Sequence, residues 1–157
     1  MASEQRQPAA AAMDTGPPSL LYSVKQVELA VRSHLDELLR PSGITALQYT
    51  ALTVLHRRSG LTIAELARNS FVTPQAMADL LKVLQRRELI SRTRDPDNRR
   101  QVRLRLTEAG AALLDHYGPA VRRLEELMLT EMDAGDRESL ADLLNRCRAS
   151  LTRGPRL

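Results

Sequence analysis

The stretch that decides the fold runs from residue 61 to residue 106, LTIAELARNSFVTPQAMADLLKVLQRRELISRTRDPDNRRQVRLRL. Its pattern predicts helix, turn, helix, strand, basic loop and strand, in that order. Thr62-Ile63-Ala64-Glu65 fits a capping box, in which the Thr62 hydroxyl caps a backbone N–H and Glu65 reaches back. A short helix over 62–69 should follow, with Ile63, Leu66 and Ala67 inward. Ser70-Phe71-Val72 leaves room only for a tight turn. Thr73-Pro74 restarts a helix, with Thr73 as N-cap and Pro74 at the first helical position.

In that second helix Met77, Leu80, Leu81 and Leu84 share one side at helical spacing, which makes a core face. Gln75, Asp79, Lys82 and Arg86 share the other. The N-terminal residues Thr73, Gln75 and Ala76 are small or amide-bearing, and such side chains can approach base edges in a major groove. After Arg87 the period changes. Gln101 to Leu106 alternates strictly, which predicts a strand with one apolar and one cationic face. Leu89 to Arg94 is its predicted partner. The intervening Asp95-Pro96-Asp97-Asn98-Arg99-Arg100 has turn chemistry and two arginines near its tip. An arginine-tipped hairpin after a polar-faced helix has the shape of an element that enters a minor groove.

Charge is placed accordingly. Residues 73–106 hold nine Lys/Arg and four Asp/Glu, a net +5, whereas the whole chain carries +4. The remainder is therefore slightly acidic, and the basicity is local, as a nucleic-acid footprint requires. Arginines that merely solvate an exposed sheet are the plainer alternative; the ordered succession of helix, turn, helix and basic hairpin argues against it.

Thr73-Pro74-Gln75-Ala76-Met77, Leu89-Ile90, Arg94 to Arg100 and Leu106-Thr107-Glu108-Ala109-Gly110 resemble the winged helix-turn-helix of MarR-type transcriptional regulators. The resemblance spans roughly residues 20–151. It implies a mainly α-helical, homodimeric DNA-binding protein with a two- to three-stranded wing sheet. Such proteins are commonly repressors released by a small molecule or by oxidation. Thr73, Pro74, Gln75, Ala76, Asp79, Lys82, Arg86, Asp97, Arg99 and Arg100 become the candidate DNA contacts. The resemblance carries Arg99 to the minor groove, and Asp97 is placed to orient its guanidinium. Two residues depart from the family pattern. Asp79 stands where a base is common, and Glu88 stands where a helix-ending glycine is usual.

The rest of the chain fits around this lobe. Residues 1–18 are rich in Ala, Gln and Pro and are expected to form a disordered tail. Residues 19–44 should hold a first helix, capped by Ser19, with Leu20, Val24, Val27, Val31, Leu35 and Leu38 in a stripe ending near Arg40. That stripe suits either the chain's own core or a partner helix; the resemblance favours the second and makes this a dimerisation helix. Residues 45–106 form the DNA-binding lobe. They open with a helix capped by Thr45, with Leu47, Ala51, Leu52 and Leu55 inward, and Leu61 is the expected site of a short third strand. Residues 107–153 supply C-terminal dimerisation helices. Thr107 caps the first, Gly118-Pro119 should kink it, a turn covers 133–136, and Leu140, Leu143, Leu144, Cys147 and Leu151 stripe the last.

Other chemistries find little support. The 157 residues include one Phe, three Tyr and no Trp, so the core must be aliphatic. One cysteine excludes an internal disulfide or a Cys-rich metal site. Cys147 lies on an apolar stripe, where packing is a simpler role than redox sensing. His34, His56 and His116 are isolated; His34 and Glu37 alone do not make a zinc site. No catalytic constellation, cofactor motif, secretory pattern or membrane-length apolar run is visible. The expectation is a soluble cytoplasmic homodimer that is not an enzyme, binds an inverted-repeat operator in duplex DNA and needs no cofactor or metal. Ligand-binding residues are not fixed by the sequence; His34, Tyr49 and Tyr117 are the candidates for an effector cleft. An effector-independent regulator or activator, or a winged-helix protein-interaction module, are the alternatives.

Overall fold

The computed structural model describes residues 17–153 except Phe71 and Arg99. The expected tail at 1–16 lies outside the described residues. The elements in order are α1 (Leu20–Leu39), a 3-10 turn (Arg40–Ser42), α2 (Ala46–Arg57), α3 (Ile63–Asn69), α4 (Pro74–Arg86), β1 (Ile90–Arg94), β2 (Val102–Leu106), α5 (Glu108–Met128) and α6 (Ala134–Arg153).

Each helix starts where a hydroxyl or carboxylate is available for the orphan N–H groups of its first turn. Ser19 accepts from Tyr22 N–H, Thr73 from Ala76 N–H, and Thr107 from Gly110 N–H. Thr62 and Glu65 form the expected capping box, with Thr62 N–H donating to Glu65 Oε2 at 2.8 Å. Thr45 forms a second one with Gln48, whose Oε1 accepts from Thr45 N–H at 2.9 Å. The Thr-x-x-Gln spacing carried that signal. It also corrects the expected face of α2. Gln48 and Tyr49 turn inward with Ala51, Leu52 and Leu55, and Leu47 is rotated out to 37% exposure. The last helix likewise begins earlier than expected. Asp133 Oδ1 accepts from Asp136 N–H at 2.9 Å, so the predicted 133–136 turn is already the cap and first turn of α6.

The core is aliphatic, as the composition demands. Leu39, Leu52, Leu55, Leu66, Met77, Leu81, Leu84 and Leu104 are fully buried, and they come from α1, α2, α3, α4 and β2. Truncating any of these leucines to alanine should cost about 2–5 kcal/mol. Ile63, Leu80, Leu113, Leu114, Tyr117 and Val121 are half-buried against this cluster. β1 and β2 pair antiparallel from Ile90 with Leu106 to Arg94 with Val102. Leu61 bridges Leu104 on the other edge of β2, so the expected third strand is a single bridge.

α5 runs without a break through Pro119. A side chain on the residue before a proline clashes with the ring in the helical conformation, and Gly118 has none. Gly110 serves a different need. A Cβ there would overlap the Leu89 carbonyl oxygen and lie 2.6 Å from Leu106 Cδ1. Only glycine lets the start of α5 lie against the end of α4 and the base of the sheet.

The outer helices are poorly covered by their own chain. α6 buries no residue, and α1 buries only Leu39. Leu20, Leu21, Val24, Val27, Leu127, Leu143, Leu144 and Leu151 are exposed. Cys147 is exposed as well, so it does not pack in this chain's core as its stripe suggested. The α5–α6 corner is nonetheless built. Arg137 donates to the Leu129 and Met132 carbonyls and to Glu126, satisfying acceptors that the end of α5 leaves open. Among the described residues no helix is long and apolar enough to cross a membrane, and no group of three or more metal-ligating side chains occurs.

Candidate nucleic-acid interface

α4 presents the split face that its spacing predicted. Met77, Leu81 and Leu84 are buried, while Thr73, Pro74, Gln75, Ala76, Asp79, Lys82 and Arg86 are exposed. Along the outer face Gln75 Nε2 donates to Asp79 Oδ2 at 3.3 Å, and Lys82 Nζ donates to Asp79 Oδ1 at 2.7 Å. Lys82 and then Gln75 hold the Asp79 carboxyl below the ordinary carboxylate range.

α4 ends in a cap that glycine usually supplies. Glu88 N–H donates to Gln85 O and Leu89 N–H to Leu84 O, both at 3.0 Å, and buried Leu89 packs back on the core. This paired pattern requires a left-handed residue after the helix. Glu88 adopts it, with φ of +55°. The departure from the family pattern therefore changes the residue and not the geometry. Thr107 Oγ1 donates to the Glu88 carbonyl at 2.6 Å and ties the cap to α5.

The wing is held from its base. Arg103 Nε donates to Asp95 Oδ2 at 2.8 Å, its Nη2 lies 2.8 Å from the same oxygen, and its Nη1 donates to Gly60 O at 3.2 Å. Glu65 Oε2, already part of the α3 capping box, lies 3.6 Å from Nη1. Asp95 is buried, and its Oδ1 accepts from Asp97 N–H at 3.0 Å. Asn98 Oδ1 accepts from Arg100 N–H, and Asn98 O accepts from Gln101 N–H. The turn residues thus close the loop on itself and leave Asp97 and Arg100 exposed. Arg99, and with it the expected orienting contact from Asp97, lies outside the described residues. Asp95 and Arg103 were not among the sequence candidates, and no local signal in the turn marks Asp95 as the inward acid. Alternation placed Arg103 on a free cationic face, but its charge is engaged by Asp95.

The three ligand candidates do not come together in one lining. His34 faces an open cleft of about 320 Å³ between α1 and α5, with Glu37, Leu38, Ala120, Arg123, Leu124 and Leu127. Tyr49 and Tyr117 belong to the core or its edge. Burial raises the Tyr49 phenol, against an opposing pull from Arg122.

Known proteins share this arrangement. Residues 42–101 match the MarR family model. The transcriptional repressor NicR of Pseudomonas putida is 34% identical over 103 residues; the match covers 66% of this chain and 65% of NicR. The chain thus spans about two thirds of that relative's length. The Mycobacterium tuberculosis transcriptional repressor Rv2887 is 29% identical over 80% of this chain and 90% of its own. The solved structure of the repressor CouR bound to a 23-mer DNA duplex superposes with a TM-score of 0.75 at 27% identity, covering 83% of this chain and 92% of that one. The matched family model, the two repressors and the shared fold agree: residues 42–101 form a MarR-type winged helix-turn-helix, and the chain around it is similar to transcriptional regulators of that family.

Proposed function

We propose that this protein is a sequence-specific DNA-binding repressor that acts as a homodimer on an inverted-repeat operator. The observation that carries the DNA reading is α4 itself, with an anchored apolar side and an outward row of Gln75, Asp79, Lys82 and Arg86, followed by a basic wing. Gln75 and Ala76 are assigned to base edges, Lys82 and Arg86 to the groove and its phosphates, and Arg99 and Arg100 to the wing contact. DNA-bound CouR and the repressors NicR and Rv2887 support the reading as a DNA-binding repressor; the residue roles rest on the faces of α4 and the wing.

The dimer is assigned to residues 19–44 and 107–153. Their exposed leucines and valines, most of them on α1 and α6, where Leu39 is the one buried residue, are the surface a second copy would cover. A cytoplasmic location follows from the proposed role, and so does the absence of enzymatic activity. Release by a small molecule is assigned to the α1–α5 cleft at His34, whose lining combines Leu38, Ala120, Leu124 and Leu127 with the polar side chains of His34, Glu37 and Arg123 and so suits a small amphiphilic compound.

The test is selection of bound duplexes from a random pool at low salt, with light scattering on the same sample. The expected mass is about 35 kDa, twice the 17.5 kDa of one chain. The selected sites should be inverted repeats with half-site centres about 10 base pairs apart. A single unsymmetric half-site, or a mass near 17.5 kDa, would refute the dimeric reading. Failure to enrich any sequence would refute the regulator reading and favour a winged-helix protein-interaction module.

A further inference from the structure

We infer that Asp79 is a positioning residue for base readout: its carboxylate fixes the Gln75 amide in one orientation and engages Lys82. This inference rests on the proposed DNA-binding role. It addresses why an acid stands in the middle of a surface that should meet a polyanion.

The three side chains lie one turn apart, at i, i+4 and i+7, and all are exposed. Asp79 can only accept hydrogen bonds, so the amide edge facing it must be the NH2 group of Gln75. The contact of Nε2 with Oδ2 at 3.3 Å has that sense. It leaves Oε1 and the second N–H of Gln75 to face outward as an ordered acceptor–donor pair, the pair that adenine N6 and N7 require. An unrestrained glutamine presents either amide orientation and must lose that freedom on binding; one already fixed has less to lose.

The other oxygen, Oδ1, accepts from Lys82 Nζ at 2.7 Å. Both carboxylate oxygens are thus engaged by α4 itself, which disfavours Asp79 as a direct reader of cytosine. Engaging Lys82 also removes one free cation from the phosphate-facing surface. The arrangement lowers general attraction to DNA and sharpens discrimination at one base pair.

The experiment uses the full chain and the best duplex selected by the parent, titrated at several salt concentrations alongside every single-base variant and a random duplex. Gln75→Ala first identifies the base pair that Gln75 reads, where the parent should discriminate by about 5- to 100-fold. Asp79→Ala should reduce discrimination at that pair to under about 3-fold and leave the other positions unchanged. On random duplex the same variant should bind more tightly, and its log–log salt slope should steepen by about 0.9 as Lys82 becomes free for a phosphate. Asp79→Asn can meet Gln75 with either a donor or an acceptor and so no longer fixes its amide; it should lose discrimination at that pair as Asp79→Ala does, and still gain the slope. In the Gln75→Ala background, Asp79→Ala should alter no base preference. Unchanged melting temperatures, expected for exposed positions, exclude a folding defect. Full discrimination by Asp79→Ala at the Gln75 base pair would overturn the inference. So would loss of preference at a different base pair, independent of Gln75, because Asp79 would then be reading a base itself. If the parent showed no preferred sequence, the proposed function would fall and this inference with it.

Discussion

Arg103 closes on Asp95 from the base of the wing, with Nε and Nη2 both 2.8 Å from Oδ2. Asp95 is buried, and the same guanidinium reaches Gly60 O and approaches Glu65. One side chain therefore joins the wing, the loop before α3 and the α3 cap. Arg103, then the Asp97 N–H, hold the Asp95 carboxyl below the ordinary carboxylate range. A folded-state value below the unfolded one stabilises the fold above the unfolded pKa of about 3.9, and that contribution is lost as pH falls through the lowered value. Asp95→Asn should therefore lower stability at neutral pH and flatten its fall below about pH 4. Urea melts of parent and variant between pH 7 and pH 2.5 measure both. Parallel acid limbs would contradict the assignment. The double variant with Arg103→Ala should cost less than the sum of the two singles, because each single leaves the other partner unpaired.

Gly110→Ala sets two effects against each other. Helix propensity alone would favour alanine by about 1 kcal/mol. The added methyl, however, would overlap the Leu89 carbonyl oxygen and crowd Leu106. The Leu89 carbonyl belongs to the backbone that closes α4, so it cannot swing aside. Overpacking of this kind costs about 1–3 kcal/mol, so sterics should win. Thermal unfolding should show a lower midpoint, by roughly 2–4 °C per kcal/mol for a chain of this size. An unchanged or raised midpoint would mean that α5 can slide away from α4.

Glu88→Gly should do the opposite. Glu88 sits at φ +55° with both cap hydrogen bonds made. The left-handed conformation costs an ordinary residue roughly 1–2 kcal/mol, and glycine adopts it freely. Glycine's greater freedom in the unfolded chain offsets part of the gain. The net expectation is stabilisation of about 0.5–1 kcal/mol, read as a higher denaturant midpoint with an unchanged slope.

The helix starts were legible because they rest on single residues at fixed spacing, such as Thr62 with Glu65 and Thr73 with Pro74. The outer face of α4 was legible from periodicity alone. The misreadings came where a local rule met a tertiary demand. Leu47 looked apolar and therefore inward, but the Gln48 capping bond turns it out. Arg103 alternated like Arg105, but a buried carboxylate eight residues earlier claims it. The glycine in Leu-Thr-Glu-Ala-Gly was recognised as a pattern, and its reason lies in a carbonyl twenty-one residues upstream. Periodicity finds faces; it does not find which element lies across from them.

The outer helices yield the last prediction. Leu143 and Leu144 are each about half exposed, and Leu151 and Leu20 more than four-fifths. Arg137 fixes the α5–α6 corner through two backbone carbonyls and Glu126, so this surface is presented on a built support and does not depend on a loose tail. If a second copy covers it, unfolding is linked to dissociation, and the melting temperature of the parent must rise with protein concentration. Leu144→Arg places a charge in the middle of the stripe, away from every fully buried residue of the lobe. That variant should give a mass near 17.5 kDa, and any transition left to the isolated lobe should not depend on concentration. Its binding to the selected operator should fall to the level of a single half-site, because two recognition helices then no longer act as one ligand. Calorimetry of the parent at 5 and 200 μM decides the first point. A melting temperature identical at both would mean that these leucines face solvent in the native protein.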